Sequence, residues 1–293
     1  MPRYDVDLAY FTDHYTYIID PSGLIAKKKS LTTIYNQGKY KIERTARLDT
    51  TRFHMATAYE TQDSSVIWYK NPVMLCSDYE VTHTTVNDVP NIQTWATMVM
   101  HEYFHGFQFR HRAFIRYAND SVTISNRKLQ AYYDNYPWFR GSVNQENQLL
   151  LRCLTENDKL KIKQLFNGVI TLRNQRLKRV FEQQKILLGP QEEFLEKMEG
   201  SARYVEYQLY ISFKNIPADE QLSRLDTAYK FSALKNFTLK SKPWMYESSS
   251  VYYFYSTGFN MLRLLDKLHV SYKQSFFDNN NLTPYHLLCD KLK

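Results

Sequence analysis

The sequence predicts an α+β fold: a strand-rich N-terminal part over residues 1–87, then a mainly helical part over 88–293. Three observations carry this expectation. Up to about residue 87, short runs rich in Tyr, Thr, Val and Ile alternate with turn residues. From about residue 88, apolar residues recur at helical spacing. No long Gly/Ser linker divides the two parts, so one continuous body is expected. Strands first and helices afterwards argue for α+β rather than alternating α/β.

In the first part, residues 15–19, 65–69 and 73–76 read as strands. Asp20-Pro21-Ser22-Gly23, Asn36-Gln37-Gly38 and Asn71-Pro72 read as turns. Residues 73–85 are expected to offer a sheet edge. In the second part, helical spacing runs near 88–117, 144–155, 157–187, 190–212 and 250–270. Asp88 and Pro90, or Asn91, supply the start of the first of these helices. Pro137, Gly141, Gly189-Pro190 and Pro243 punctuate the rest. The stretch near 120–190 carries Leu160, Phe166, Val169, Ile170, Leu177, Val180 and Phe181, and is expected to be helical.

Composition narrows the class. Hydrophobic residues make up 43% and aromatic residues 15%, enough for a packed core and against disorder. The net charge of +8 is dispersed, with Lys27, Lys28 and Lys29 as the tight run. Arg173, Arg176, Arg179 and Lys185 read as a solvated helix face. No nucleic-acid module accompanies the charge, so nucleic acid is not an expected partner. Cys76, Cys153 and Cys289 are too few and too scattered for a disulfide framework, and read as free thiols. No 18-residue apolar run exists, so no transmembrane segment is expected. The N-terminus lacks a signal-peptide pattern, which fits a cytoplasmic or a trimmed exported protein.

The chemistry-bearing motif is His101-Glu102-Tyr103-Phe104-His105. Residues four apart share one helix face, so both imidazoles can reach one metal ion. Glu102 stands beside them, placed to act on a metal-activated water. Ile92, Trp95, Ala96, Val99, Tyr103 and Phe107 recur around the motif at helical spacing, which sets it mid-helix. A catalytic zinc site takes three protein ligands and leaves one position open. No third histidine follows at a suitable short spacing; His111 stands in the wrong place. An acidic residue on a second helix is the better candidate, and Glu199 and Glu206 provide two. Seven residues turn a helix by about 700°, so these two lie roughly 20° from eclipsed. Glu199 can bind zinc while Glu206 supports a histidine. Gln108, three residues after His105, falls beside the ligand face and can hydrogen-bond near it.

At these residues the chain resembles the gluzincin metallopeptidases, most closely the aminopeptidase and leukotriene-hydrolase branch. There the third ligand stands in a pattern like N-E-G-x-x-x-Y-x-E. Here Glu199, Gly200, Tyr204 and Glu206 match, with Met198 in place of the asparagine. The resemblance implies that Glu199 is a zinc ligand and Glu206 its neighbour's support. In the same branch a tyrosine three residues before a helix-opening glycine stabilises the oxyanion. Tyr255, three before Gly258, occupies that place, with Tyr252 and Tyr253 as alternatives. The likeness covers roughly residues 90–118, 194–210 and 249–270 and implies a zincin-like helical part. It departs from the family in two ways. Glu199 lies 94 residues after His105, where the family has a short link, so helices are inserted between them. A G-x-M-E-N segment, which anchors a substrate amine in the aminopeptidases, is missing.

The expected function is therefore zinc-dependent hydrolysis of a peptide or protein substrate, with Zn2+ held by His101, His105 and Glu199. Glu102 acts as general base and Tyr255 as oxyanion donor. Two other readings stay open: a non-catalytic binding protein on a peptidase-like scaffold, and a zinc hydrolase of a non-peptide amide, ester or epoxide.

Overall fold

Alternation along the strands and a two-faced motif helix organise the N-terminal half. The computed structural model describes residues 6–19, 30–38, 40–59, 72–216, 219–225, 234–248 and 250–293. The strand expected at 65–69, the turn at 20–23 and the lysine run at 27–29 lie outside them. The chain divides into two compact units. One comprises Met1–Arg110 with Val205–Phe237; the other comprises His111–Tyr204 with Thr238–Lys293.

The first unit holds a six-stranded sheet: β1 (Asp7–Phe11), β2 (Tyr15–Ile19), β3 (Thr32–Gln37), β4 (Tyr40–Ala46), β5 (Met55–Ala58) and β6 (Val73–Ser77). Their order is β3-β4-β2-β1-β6-β5. Among the described strands only the central β1–β6 pair is parallel, with Leu8 opposite Met74 and Tyr10 opposite Cys76. The β3–β4 turn works because Gly38 adopts a φ of 62°, which glycine alone reaches without cost. Side chains alternate between faces. Ile18 and Val73 anchor one face with Leu31, Leu48, Ala58 and Leu75 around them. Val6, Met74 and Cys76 anchor the other, joined by Leu8, Tyr10 and Met55. Burial also pushes the Cys76 thiol up to about 12, as suits an inert core cysteine.

Two helices follow the sheet: α1 (Tyr79–Thr85) and α2 (Ile92–Gln108). Residues 73–85 are thus not one exposed strand, as expected from sequence. Val73–Ser77 is paired on both sides, by β1 and by β5. The chain then turns helical because Asp78 accepts from the Val81 N–H and caps α1. Among the described residues the outer strand on that side is β5. Asn91 caps α2 by accepting from the Thr94 N–H at 2.9 Å.

The second unit is helical: α3 (Arg112–Ser121), α4 (Asn126–Asn135), α5 (Pro137–Thr155) and α6 (Lys159–Gln184), with α9 (Tyr253–Lys267) and α10 (Pro284–Leu292). Between α6 and α9 in chain order come α7 (Leu188–Asn215), whose first part belongs here, and α8 (Glu220–Leu225) of the first unit. The helix expected over 88–117 is two, α2 and α3, and the stretch expected to be helical near 120–190 opens with α4.

Arg173 and Arg176 of α6 correct the solvated face expected from sequence: they are 1% and 2% exposed. Complementary acids on neighbouring helices make this burial possible. Arg173 donates to Glu146 of α5 at 2.9 Å and to Glu196 of α7 at 2.9 Å. Arg176 forks onto Glu192 at 3.1 and 2.8 Å and reaches Glu146 at 2.6 Å. Tyr253 and Thr257 of α9 donate to Glu192 and Glu196 at 2.5 and 2.7 Å. Burial disfavours charge on Glu146, yet the two guanidinium groups hold its carboxyl below the usual range. Burial pushes Glu196 up to about 7, against the pull of Arg173 and with the help of Glu146 and Glu192.

The folded state therefore favours the proton on Glu196. Its stabilising effect is complete below the ordinary carboxylate pKa and fades as pH rises through about 7. Glu196→Gln, which mimics the protonated form, should gain stability relative to wild type as pH rises from about 4.5 to 7. Chemical denaturation at pH 5 and pH 8 checks this; a wild-type minus variant difference that is the same at both would contradict it.

Candidate metal centre

The most buried stripe of α2 is polar. Thr94, Thr97, His101, His105 and Gln108 recur at three- and four-residue intervals, and all are buried. The apolar residues Val99 and Tyr103 lie on the other side, packed on Val6, Met74 and Cys76 of the sheet face. Tyr103 also accepts from the Val6 N–H at 3.1 Å. Gly106 lets this happen: a Cβ there would lie 2.5 Å from the Val6 side chain. From the same sheet face Thr57 of β5 donates to the Glu102 carbonyl. The sheet thus fixes the helix rotation, and the rotation fixes the polar stripe.

Ligand atoms of His101, Glu102 and His105 all lie within 4.8 Å of one another. The two imidazole centroids are 5.1 Å apart and the rings nearly perpendicular, at 78°. Glu102 is half-buried while both histidines are buried. Each Nδ1 meets a side-chain oxygen. Glu206 Oε2 of α7 lies 3.3 Å from His101 Nδ1. Gln108 Oε1 lies 2.8 Å from His105 Nδ1. Nε2 is then the ligand atom that each ring offers to a metal, an arrangement common to histidine-ligated sites.

The Glu206 end of α7 runs antiparallel to α2. One turn after Glu206, the buried Tyr210 phenol lies beside Thr97 and Thr94, one and two turns before His101. Burial pushes that phenol up to about 12, so it stays a neutral hydrogen-bonding group. The structure thus brings His101, Glu102, His105 and Glu206 together within the first unit.

Glu199 and Tyr255 belong to the second unit. Glu199 is buried on the same continuous helix as Glu206, seven residues earlier. Beside it, Gly200 packs directly on Gly258: a Cβ on Gly200 would lie 2.6 Å from the Gly258 backbone. A Cβ on Gly258 would lie 2.3 Å from the Glu196 carbonyl oxygen. The two glycines singled out beside the sequence motifs are therefore each other's packing partners, at the crossing of α7 and α9. Tyr255 stands half-buried in the first turn of α9, with the Arg203 guanidinium 4.6 Å from its ring centroid. Its alternatives have other surroundings: Tyr253 is bound to Glu192 in the buried ion network, and Tyr252 is 52% exposed. Tyr204 donates to Asp266 of α9. His111, set aside from sequence, faces Asp278 at 2.7 Å.

Sequence reasoning missed Thr57 and Tyr210, and no local pattern announces either. Gln108 was within reach, being one turn from His105. No family model, no curated protein and no solved structure matches this chain.

Removing the carboxylate behind His101 should loosen the ring. Glu206→Ala is expected to weaken zinc uptake about 10–100-fold, read by competition with a chelating dye. Unchanged affinity would mean that Glu206 does not support His101.

Proposed function

We propose that the chain is a zinc-dependent hydrolase of peptides, a gluzincin with a zincin-like helical part. The observation that carries this reading is the clustering of His101, Glu102 and His105 on α2, their ligand atoms within 4.8 Å of one another and both Nδ1 atoms backed by side-chain oxygens. The ligands of this reading suit zinc: two imidazole nitrogens, from His101 and His105, and one carboxylate oxygen, from Glu199.

In this reading His101, His105 and Glu199 would hold the metal. Glu199 lies on the same face of α7 as Glu206, since seven residues return a helix to within about 20° of its starting direction. Bound there, zinc would supply Lewis acidity and a water of lowered pKa. Glu102 would act as general base, taking a proton from the attacking water and delivering it to the leaving amine. Tyr255 donates a hydrogen bond to the oxygen on which negative charge develops. Extended peptides add to exposed sheet edges. Among the described residues β5 is the outer strand on that side, and its tie to the Glu102 carbonyl through Thr57 supports a peptide rather than a compact substrate.

The test is metal analysis combined with a broad peptide library. Wild type should bind one zinc and cleave; Glu102→Gln should keep the zinc and lose cleavage. Tyr255→Phe should keep the zinc and lower kcat by roughly two to three orders of magnitude. Glu199→Ala should lose the metal. Comparable turnover by Glu102→Gln would exclude the general-base role, and a zinc-loaded wild type that spares every peptide would favour a non-peptide substrate or a binding role.

A further inference from the structure

We infer that Gln108 is a positioning residue that locks His105 into the tautomer with its proton on Nδ1, and so sets the metal affinity of Nε2. The affinity half rests on the metal reading above; the tautomer half does not.

A neutral imidazole carries its proton on one nitrogen, and the partner of the other nitrogen decides which. A carboxamide oxygen only accepts. Gln108 Oε1 lies 2.8 Å from His105 Nδ1, so Nδ1 must donate and Nε2 keeps its lone pair. In water an unconstrained histidine prefers the opposite tautomer, with Nε2 protonated and unable to bind a metal. Gln108 offsets that preference.

The device is local. Gln108 is three residues after His105, and α2 itself places the pair on one face. Gln108 is 0% exposed, and burial excludes the water that would compete for Nδ1. His101 is backed differently, by a carboxylate from another helix. A carboxylate pulls on the Nδ1 proton and makes the ring more basic; a carboxamide orients it with less charge donation. The two histidines are therefore unequal donors. The weaker backing at His105 leaves a bound metal more electrophilic than two carboxylates would.

The experiment compares full-length wild type, Gln108→Met and Gln108→Glu. Methionine keeps the volume and removes the acceptor; glutamate keeps an acceptor and adds charge. Long-range proton–nitrogen spectra of the zinc-free proteins report each tautomer, with His105 assigned from the spectrum of His105→Gln. Zinc affinity is read by dye competition. Wild type and Gln108→Glu should show the proton on Nδ1. Gln108→Met should shift His105 toward Nε2–H and bind zinc about 10–100-fold more weakly, while Gln108→Glu binds at least as tightly as wild type. A wild-type His105 protonated on Nε2, meaning that the carboxamide nitrogen faces the ring, would overturn the inference. So would a Gln108→Met protein with an unchanged tautomer. Should Gln108→Met fail to fold by circular dichroism, the wild-type tautomer alone still decides. Expected tautomers in a wild type that takes up no zinc would support the Gln108 role and remove the metal reading.

Discussion

The burial of a polar stripe on α2 is the constraint on which the first unit depends. A helix packed on a sheet ordinarily turns its apolar stripe inward and its polar stripe to solvent. Here Val99 and Tyr103 do meet the sheet, yet Thr94, Thr97, His101, His105 and Gln108 are buried as well. Each buried polar group costs about 1–3 kcal/mol if left without a partner. The structure meets that cost with paired chemistry: Asn91 on Thr94, the Thr94 carbonyl on Thr97, a carboxylate on His101, a carboxamide on His105. A plain core would use leucine at these positions. Retaining imidazoles there, with their Nδ1 atoms committed, makes sense if the Nε2 edges have work to do.

The second unit solves a similar problem with full charges. Two arginines and three glutamates are withdrawn from water between α5, α6, α7 and α9. Replacing such a network by apolar residues often costs nothing in stability, whereas removing one member strands its partners. Its consequence here is geometric. Glu192 and Glu196 of α7 are each bound to side chains of α9. The same two helices touch backbone to backbone at Gly200 and Gly258. The helix segment that carries Glu199 and the helix turn that carries Tyr255 are thereby held in one register within that unit.

Much of this was legible in the sequence, for identifiable reasons. The histidine pair declared itself because spacing on a helix is a local property, and Asn91 was readable as a cap for the same reason. β2 was legible because a run of Tyr, Thr and Ile suits a pleated surface. The strand at 73–77 was legible too, but its extension to Thr85 was not: Val81, Thr82, Thr84 and Thr85 favour strand locally, and the Asp78 cap wins. Arg173 and Arg176 were misread because their i, i+3 spacing is equally that of a solvated face. The counter-charges on Glu146, Glu192 and Glu196 come from other helices, which is tertiary information. Glu206 was legible only as a member of a pattern; its 3.3 Å approach to His101 depends on α7 running antiparallel to α2.

The central claim is that the buried stripe of α2 is a metal centre, and X-ray absorption at the zinc edge tests it most directly. The protein as purified, or after loading with one equivalent of zinc, should show two imidazole nitrogens and one carboxylate oxygen at about 2.0–2.2 Å, with one further light ligand. His105→Gln should remove one imidazole contribution. A zinc shell without imidazole, or no zinc retained after gel filtration, would contradict the account.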